Sequence, residues 1–281
     1  MNVGIIGLGL MGASFAKSLK KNTKHKVFGF DISNDVISRA KEIGAIDEEI
    51  TSKNIGYIDI LILAIVPNKI AEILDKFLPD LKNGATVIDF CGIKRCVVDV
   101  MEKASKTYPE LSFIGGHPMA GREFSGINHS VSDLFDNAPM ILVNVSASDL
   151  KLEEIKGFFI EAGFRRTVIT TAEKHDAVIA YTSQLCHIVS NAYIKNKTAE
   201  IHDGYSAGSY RDLTRVARLN PEMWANLMIE NADYLEKELS ELVTNLNQYL
   251  TAIKKRDEKE LKALLNDGNN RKLAIDVKGG K

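Results

Sequence analysis

The stretch Val3-Gly4-Ile5-Ile6-Gly7-Leu8-Gly9-Leu10-Met11-Gly12 begins as an apolar run and breaks into three glycines at fixed spacing. Val3–Ile6 predicts a buried strand, and Ala13, Phe15, Ala16 and Leu19 predict the apolar face of the helix after it. The first glycine permits a tight turn, the second lets backbone approach a pyrophosphate, and the third lets helix and strand pack closely. The start of the helix, at Leu10 and Met11, offers unpaired N–H groups and positive potential to phosphates. The next predicted strand, Lys26–Asp31, ends in an acid at the distance a dinucleotide site requires.

These features predict a cofactor site built from Gly7, Gly9, Leu10, Met11, Gly12 and Asp31, with Pro67 and Gly92 at later strand ends. Asp31 can accept hydrogen bonds from both ribose hydroxyls, and its charge repels a 2′-phosphate. The expected cofactor is therefore NAD rather than NADP. Arg39, the nearest basic residue downstream, lies too far along to clamp that phosphate. Cys91 reads as a small buried thiol beside the cofactor rather than a nucleophile.

Working outward, β-branched runs alternate with amphipathic stretches, the pattern of a parallel α/β sheet. The predicted strands are Asn2–Ile6, Lys26–Asp31, Ile58–Ala64, Thr86–Asp89, Ser112–Gly115, Met140–Val145 and Thr167–Thr170. After Thr171 helical periodicity takes over. The expected fold is an α/β Rossmann-type domain with a mostly parallel sheet over residues 1–170, then an all-α domain over 171–281. A long helix is expected from the Asn220 cap and Pro221, carrying Leu235, Leu239, Leu242, Leu246, Tyr249 and Ile253 in a four-three spacing. Such a seam predicts a homodimer through the C-terminal helices. After it come one short helix, Glu258–Leu265, and a frayed tail, Asp276–Lys281, leaving no room for an appended regulatory domain.

A net charge of −1 over 281 residues gives no basis for a nucleic-acid or membrane surface. The longest apolar run, Ile58 to Val66, is too short to span a bilayer. Three cysteines show no CxxC pairing, no metal site is expected, and the expected compartment is the cytoplasm.

Gly115-Gly116-His117-Pro118-Met119-Ala120-Gly121 aims one histidine at the end of a short strand. Pro118 pushes His117 into extended dihedrals, and the glycines leave space around its ring. That arrangement suits a proton acceptor facing a ligand. Thr171 predicts a helix cap, and on the helix after it Asp176, Ala180, Ser183 and His187 share one stripe. The stripe lacks the lysines and glutamates of a solvated face and predicts a ligand-facing wall, with Val178, Thr182, Leu185 and Val189 toward the core. Arg211, Arg215 and Arg218 align at four and three residues. Three guanidiniums on one stripe suit a small substrate with two carboxylates, gripped by planar forks. Trp224, the single tryptophan, either packs under Arg215 or fills the core.

On these residues the chain resembles the prephenate dehydrogenases, which decarboxylate prephenate oxidatively in tyrosine biosynthesis. The resemblance spans nearly the whole length. It rests on Gly7–Gly12 with Asp31, on Gly116-His117-Pro118-Met119-Ala120-Gly121-Arg122-Glu123-Phe124-Ser125-Gly126, on His175-Asp176 through Ser183 to His187, and on Tyr210-Arg211-Asp212-Leu213-Thr214-Arg215. It implies a Rossmann domain followed by a helical dimerisation domain. It implies that His117 bonds the ring hydroxyl and helps remove its proton as hydride leaves the same carbon for NAD. Arg215 would hold a substrate carboxylate and Arg211 a second contact. Ser183 and His187 would line the pocket near the pyruvyl side chain or cofactor, and Glu123 would belong to a gating or orienting shell.

Two positions depart from the family pattern. Gly92 stands where many members carry a serine in an Asp-x-x-Ser-x-Lys loop, which leaves a water or Cys91 to orient His117. Gln184 stands where many carry a histidine. Arogenate dehydrogenase is the nearest alternative activity. A β-hydroxyacid dehydrogenase is more distant, since its lysine motif has no match between residues 160 and 200. A non-catalytic NAD sensor would not need His117, His187 and the arginine pair together.

Overall fold

In the computed structural model, which describes residues 1–122 and 124–278, eight strands form one sheet in the order β3-β2-β1-β4-β5-β6-β7-β8. They are β1 Asn2–Ile6, β2 Lys26–Phe30, β3 Glu48–Glu49, β4 Ile60–Leu63, β5 Thr86–Asp89, β6 Ser112–Pro118, β7 Pro139–Asn144 and β8 Arg166–Ile169. All neighbouring pairs are parallel except β6 and β7. The helices among the strands are α1 Leu10–Asn22, α2 Asn34–Glu42, α3 Ile70–Phe77, α4 Arg95–Thr107 and α5 Asp149–Glu161. Both sheet faces are covered, which is why β4 and β5 are buried along their whole length. One face packs a cluster of phenylalanines around Phe15, with Phe90, Phe135, Phe158, Phe159 and Phe164.

The strand order reverses between β1 and β4, and ligands of open α/β sheets bind beyond the carboxyl ends at such a point. Gly7 leaves β1 there with φ +89°, in the left-handed region, and a Cβ on it would stand 2.4 Å from the Ala64 carbonyl oxygen. A Cβ at Gly12 would stand 1.8 Å from the Gly7 carbonyl oxygen. Turn and helix start therefore have no room for any other residue at either place.

Strand β6 runs three residues beyond the expected Ser112–Gly115. The antiparallel ladder with β7 continues through His117↔Ile141 and Pro118↔Met140, so His117 is anchored within the sheet. The two-residue edge strand β3 carried no apolar alternation and was not foreseen.

After β8 the chain continues through α6 Ala172–Ile179, a π-helical turn Ala180–Leu185, α7 Cys186–Tyr193, α8 Gly208–Thr214, α9 Pro221–Ile229, α10 Ala232–Lys255 and α11 Glu258–Lys278. The expected boundary near residue 170 falls where the sheet ends. By compactness the chain divides later, into Met1–Asn231 and Ala232–Lys281.

Three helical expectations are corrected. The π turn adds a residue to the helix after α6, rotating the downstream residues by about 100°. Already ahead of that turn Asp176 is buried and Val178 is 50% exposed; within it Ala180 and Gln184 are buried and Thr182 is at the surface, while Leu185 is buried as expected. The helix capped by Asn220, whose side chain accepts from the Met223 amide, stops at Ile229 because buried Asn231 interrupts it. Finally, α11 continues to Lys278 through Gly268, a helical glycine costing about 1 kcal/mol relative to alanine, with ion pairs Arg271–Asp267 and Lys272–Asp276 one turn apart. Of the expected frayed tail, Asp276–Lys278 is helical and residues 279–281 lie outside the described residues.

Within the second unit, Tyr249 donates to the Leu264 carbonyl across α10 and α11. Leu235 of the seam is buried, whereas Leu246 and Ile253 are 56% and 59% exposed. Among the described residues no helix is long and apolar enough to cross a membrane.

Candidate functional site

The nucleotide cradle is made almost wholly of backbone. At Gly9 a Cβ would meet nothing within 4 Å, so the surface above the start of α1 is open. Asp31, just past β2, accepts from the Leu8 amide through Oδ2 at 2.8 Å and the Ser33 amide through Oδ1 at 3.0 Å. Each oxygen keeps a lone pair, so the carboxylate that ties the glycine turn to β2 can still accept ribose hydroxyls. Pro67 begins a single 3-10 turn directly beyond β4. Cys91 is buried, its amide bonds Asp89, and its thiol donates to the Ile65 carbonyl at 3.3 Å. Burial raises that thiol well above its ordinary range, so it is not a nucleophile. Open backbone, free helix amides and an acid at the next strand end fit a dinucleotide.

His117 lies at the carboxyl end of β6, which pairs with β5, and is half-buried. Its Nε2 faces Gly92, 4.0 Å from where a Cβ there would stand, and Leu227 methyls lie 3.8 Å and 4.0 Å from the same point. Its Nδ1 is 2.8 Å from Nε2 of His175, and His175 Nδ1 is 2.7 Å from Asp176 Oδ1. The polar partner of the His117 ring among the described residues is therefore His175, while the Cys91 thiol is engaged with Ile65.

Asp176 is held in turn by the amides of Lys94 at 2.7 Å and Arg95 at 2.9 Å, and by Arg95 Nε at 3.3 Å. It thus caps the start of α4 from α6. Asn231 closes the cluster, donating to the Asp176 carbonyl at 2.9 Å and to Gln184 Oε1 at 2.8 Å. Gln184 donates to the Leu227 carbonyl at 2.8 Å. Its role is to tie the π turn to α9.

A fully buried ion pair, Lys94 with Asp89, lies underneath. Asp89 also accepts from the Gly116 amide at 3.1 Å, so the carboxyl end of β5 is pinned to β6. The Lys94 ammonium acts on both imidazoles. Burial first, then His175 and Lys94, hold His117 well below the ordinary histidine value of 6.5. Burial lowers His175 as well, with Asp176 opposing and Lys94 assisting. Burial works against the Asp176 anion, yet bonds from His175 and the Arg95 and Lys94 amides keep it below the usual carboxylate range. Both imidazoles are neutral near pH 7.

The second imidazole, His187, sits on α7 with Nδ1 donating to the Val216 carbonyl at 3.1 Å. Trp224 packs on this ring, centroids 3.9 Å apart, rather than filling the core. Burial lowers His187, the bond to Val216 opposes this, and the Arg215 charge lowers it further. Ser183 lies half-buried in the π turn. The three arginines are not one helical stripe: α8 ends at Thr214, so Arg211 is on the helix, Arg215 caps it and Arg218 lies beyond. No contact among the described residues joins Arg211 to either imidazole. Glu123 lies outside the described residues.

Sequence reasoning missed His175, Lys94 and Asn231 as parts of the site. The adjacency of His175 to Asp176 and the acid–lysine spacing of Asp89 and Lys94 were visible, but nothing local linked them to His117.

Two family models match the chain: the prephenate dehydrogenase nucleotide-binding domain over residues 15–168 and the prephenate dehydrogenase dimerization domain over residues 171–267. The chain is 31% identical to a prephenate dehydrogenase of Lactococcus lactis, over 98% of this chain and 78% of that one. Its fold is similar to prephenate dehydrogenase from Aquifex aeolicus in complex with hydroxyphenyl propionate and NAD+, at TM-score 0.83 and 30% identity, over 98% of each chain. It is likewise similar to Synechocystis arogenate dehydrogenase, at TM-score 0.79 and 28% identity, over 98% of this chain and 100% of that one. With both matched regions accounting for most of its length, the chain is a dehydrogenase belonging to the prephenate dehydrogenase family.

Proposed function

We propose that this protein oxidatively decarboxylates prephenate to 4-hydroxyphenylpyruvate with reduction of NAD. The observation that carries the reading is His117: a neutral imidazole whose Nε2 lies beside Gly92, which has no side chain, at the same end of the sheet as the glycine turn. When bound in the cradle of Gly7, Gly9, Leu10, Met11, Gly12 and Asp31, with Pro67 and Gly92 at its edge, NAD supplies the hydride acceptor.

The overall reaction consumes no proton. The ring carbon gives up a hydride, the quaternary carbon gives up carbon dioxide, and the freed electron pair makes the ring aromatic. The hydroxyl becomes acidic as hydride leaves, so His117 Nε2 accepts its proton and returns it to the phenolate. A base of lowered pKa suffices because the hydroxyl is acidic only in the transition state. A positioned base contributes about 10²–10⁴-fold.

Arg215 would hold a substrate carboxylate, with His187 and Ser183 along the side-chain end of the pocket. Arg211 and Glu123 complete the proposed substrate set. Support for the pairing comes from His187, whose ring senses the Arg215 charge. Asp31, which would repel a 2′-phosphate, supports NAD over NADP. The exposed Val243, Leu246, Leu250 and Ile253 on α10 support a homodimer through the C-terminal helices, and we assign the protein to the cytoplasm.

Spectrophotometric assay of prephenate and arogenate, each against NAD and NADP, tests the reading. Reduction of NAD with prephenate is the expected result. Preference for arogenate replaces the substrate assignment, and absence of turnover with either removes it.

A further inference from the structure

The hydrogen-bond chain behind His117 has a direction. Asp176 Oδ1 can only accept, since its carboxyl is ionised, so the 2.7 Å contact carries the proton of His175 on Nδ1. Neutral His175 then has a bare Nε2. The 2.8 Å contact from that atom to His117 Nδ1 therefore carries the proton of His117. What remains on His117 is an unprotonated Nε2, the atom that faces Gly92. Only that tautomer can accept a proton from a hydroxyl in the pocket.

We infer that His175 and Asp176 are positioning residues that lock His117 in the Nδ1–H tautomer, taking over the orienting task that Gly92 cannot perform. The inference rests on the assignment of His117 as the base.

The fold makes the lock rigid. Asp176 has three donors besides His175, two of them backbone amides of the segment opening α4. His117 is held in the β6–β7 ladder. Neither end of the chain can swing without breaking secondary structure. A glycine at position 92 has no side chain to donate to Nε2 or accept from it, so the ring is controlled from its Nδ1 side alone. When Nε2 takes a proton, the Nδ1–H bond persists and the new positive charge points through His175 toward the Asp176 carboxylate. The groups facing the two rings are then Asp176, Lys94 and Asp89: one bound anion for the relay, and one ion pair that is neutral overall.

Two measurements test this. In the wild-type protein labelled with ¹⁵N-histidine, long-range ¹H–¹⁵N correlation spectra at neutral pH are expected to show His117 as the Nδ1–H form. Detection of the Nε2–H form overturns the inference, whatever the enzyme turns over. In kinetics, His175→Leu is expected to lower kcat about 100-fold while KM for prephenate and NAD binding stay within about twofold. His175→Gln, whose amide can both accept from His117 and donate to Asp176, is expected to restore kcat to within about tenfold of wild type. Wild-type kcat in His175→Leu, or no difference between the two variants, overturns it. If His175→Leu fails to fold, the wild-type spectrum still decides. A wild-type protein with the expected tautomer and no prephenate turnover sinks the proposed function and leaves the tautomer lock standing.

Discussion

The glycine cradle and the imidazole pocket lie at the same end of one sheet, yet they are built in opposite ways. The cradle is backbone: a left-handed Gly7, an open Gly9 and helix amides within six residues of one another, tied by one carboxylate. The pocket is side chains brought from β6, α6, α7 and the loops after β5 and α8, more than a hundred residues apart. A site made of backbone demands particular residues at fixed spacing. A site made of side chains demands only that the fold deliver them, so its members carry no common spacing. The first is robust to chemistry and intolerant of bulk; the second is the reverse.

Substitutions should separate the two. The largest effect is expected from His117→Asn in the pocket, lowering kcat by about 10²–10⁴-fold while NAD affinity, read by fluorescence titration, is unchanged. Equal loss of both would erase the distinction. Next, Gly12→Ala in the cradle places a methyl group 1.8 Å from the Gly7 carbonyl oxygen, with no flexible side chain to yield. It is expected to cost about 4 kcal/mol or more, read as loss of soluble folded protein or a drop in Tm.

Gly9→Ala sharpens the contrast, because nothing lies within 4 Å of the new Cβ. Its Tm should match wild type, while affinity for NAD falls about tenfold or more as the methyl group occupies the approach to the turn. Asp31→Ser should narrow the preference for NAD over NADP by about tenfold in kcat/KM, with little change for prephenate.

The broadest effect, spread over several groups rather than one site, concerns pH. His117, His175 and His187 all titrate below 6.5 in the folded protein, chiefly through burial. In the unfolded chain each takes a proton near 6.5, so folding stability is level above that value and falls as pH drops below it. Each histidine contributes no more than about 1.4 kcal/mol per pH unit until its folded pKa is reached. Asp176, held below the usual carboxylate range, does not enter until lower pH. A Tm measured between pH 7.5 and 5.5 should decline, and a flat profile would mean the imidazoles are not buried neutral in solution.

The same contrast explains what was legible in the sequence. The strand-turn-helix of residues 2–22 could be read because its demands are local. His117 could be read because Pro118 and its glycines restrict it locally too. The direction of the α6–α7 face could not: Asp176 is drawn inward by Lys94, Arg95 and Asn231, far away in sequence, and past Ala180 a π turn shifts the register and leaves no mark in periodicity. Asn231 ends one helix and begins another because it is drawn to Asp176 and Gln184, partners 55 and 47 residues away. In α11, expected to end at Leu265, the helix runs on through Gly268 to Lys278, with the ion pair Arg271–Asp267 spanning the glycine.

By itself the chain's order of residues determined the parallel sheet, the glycine turn with its acid and the aim of one imidazole, because sterics and chain direction act between near neighbours. Only the tertiary structure decided which nitrogen of that imidazole is bare. That depends on a carboxylate and a second histidine arriving on a helix some sixty residues further along the chain, and a proton's position in a hydrogen-bond chain is settled by its far end.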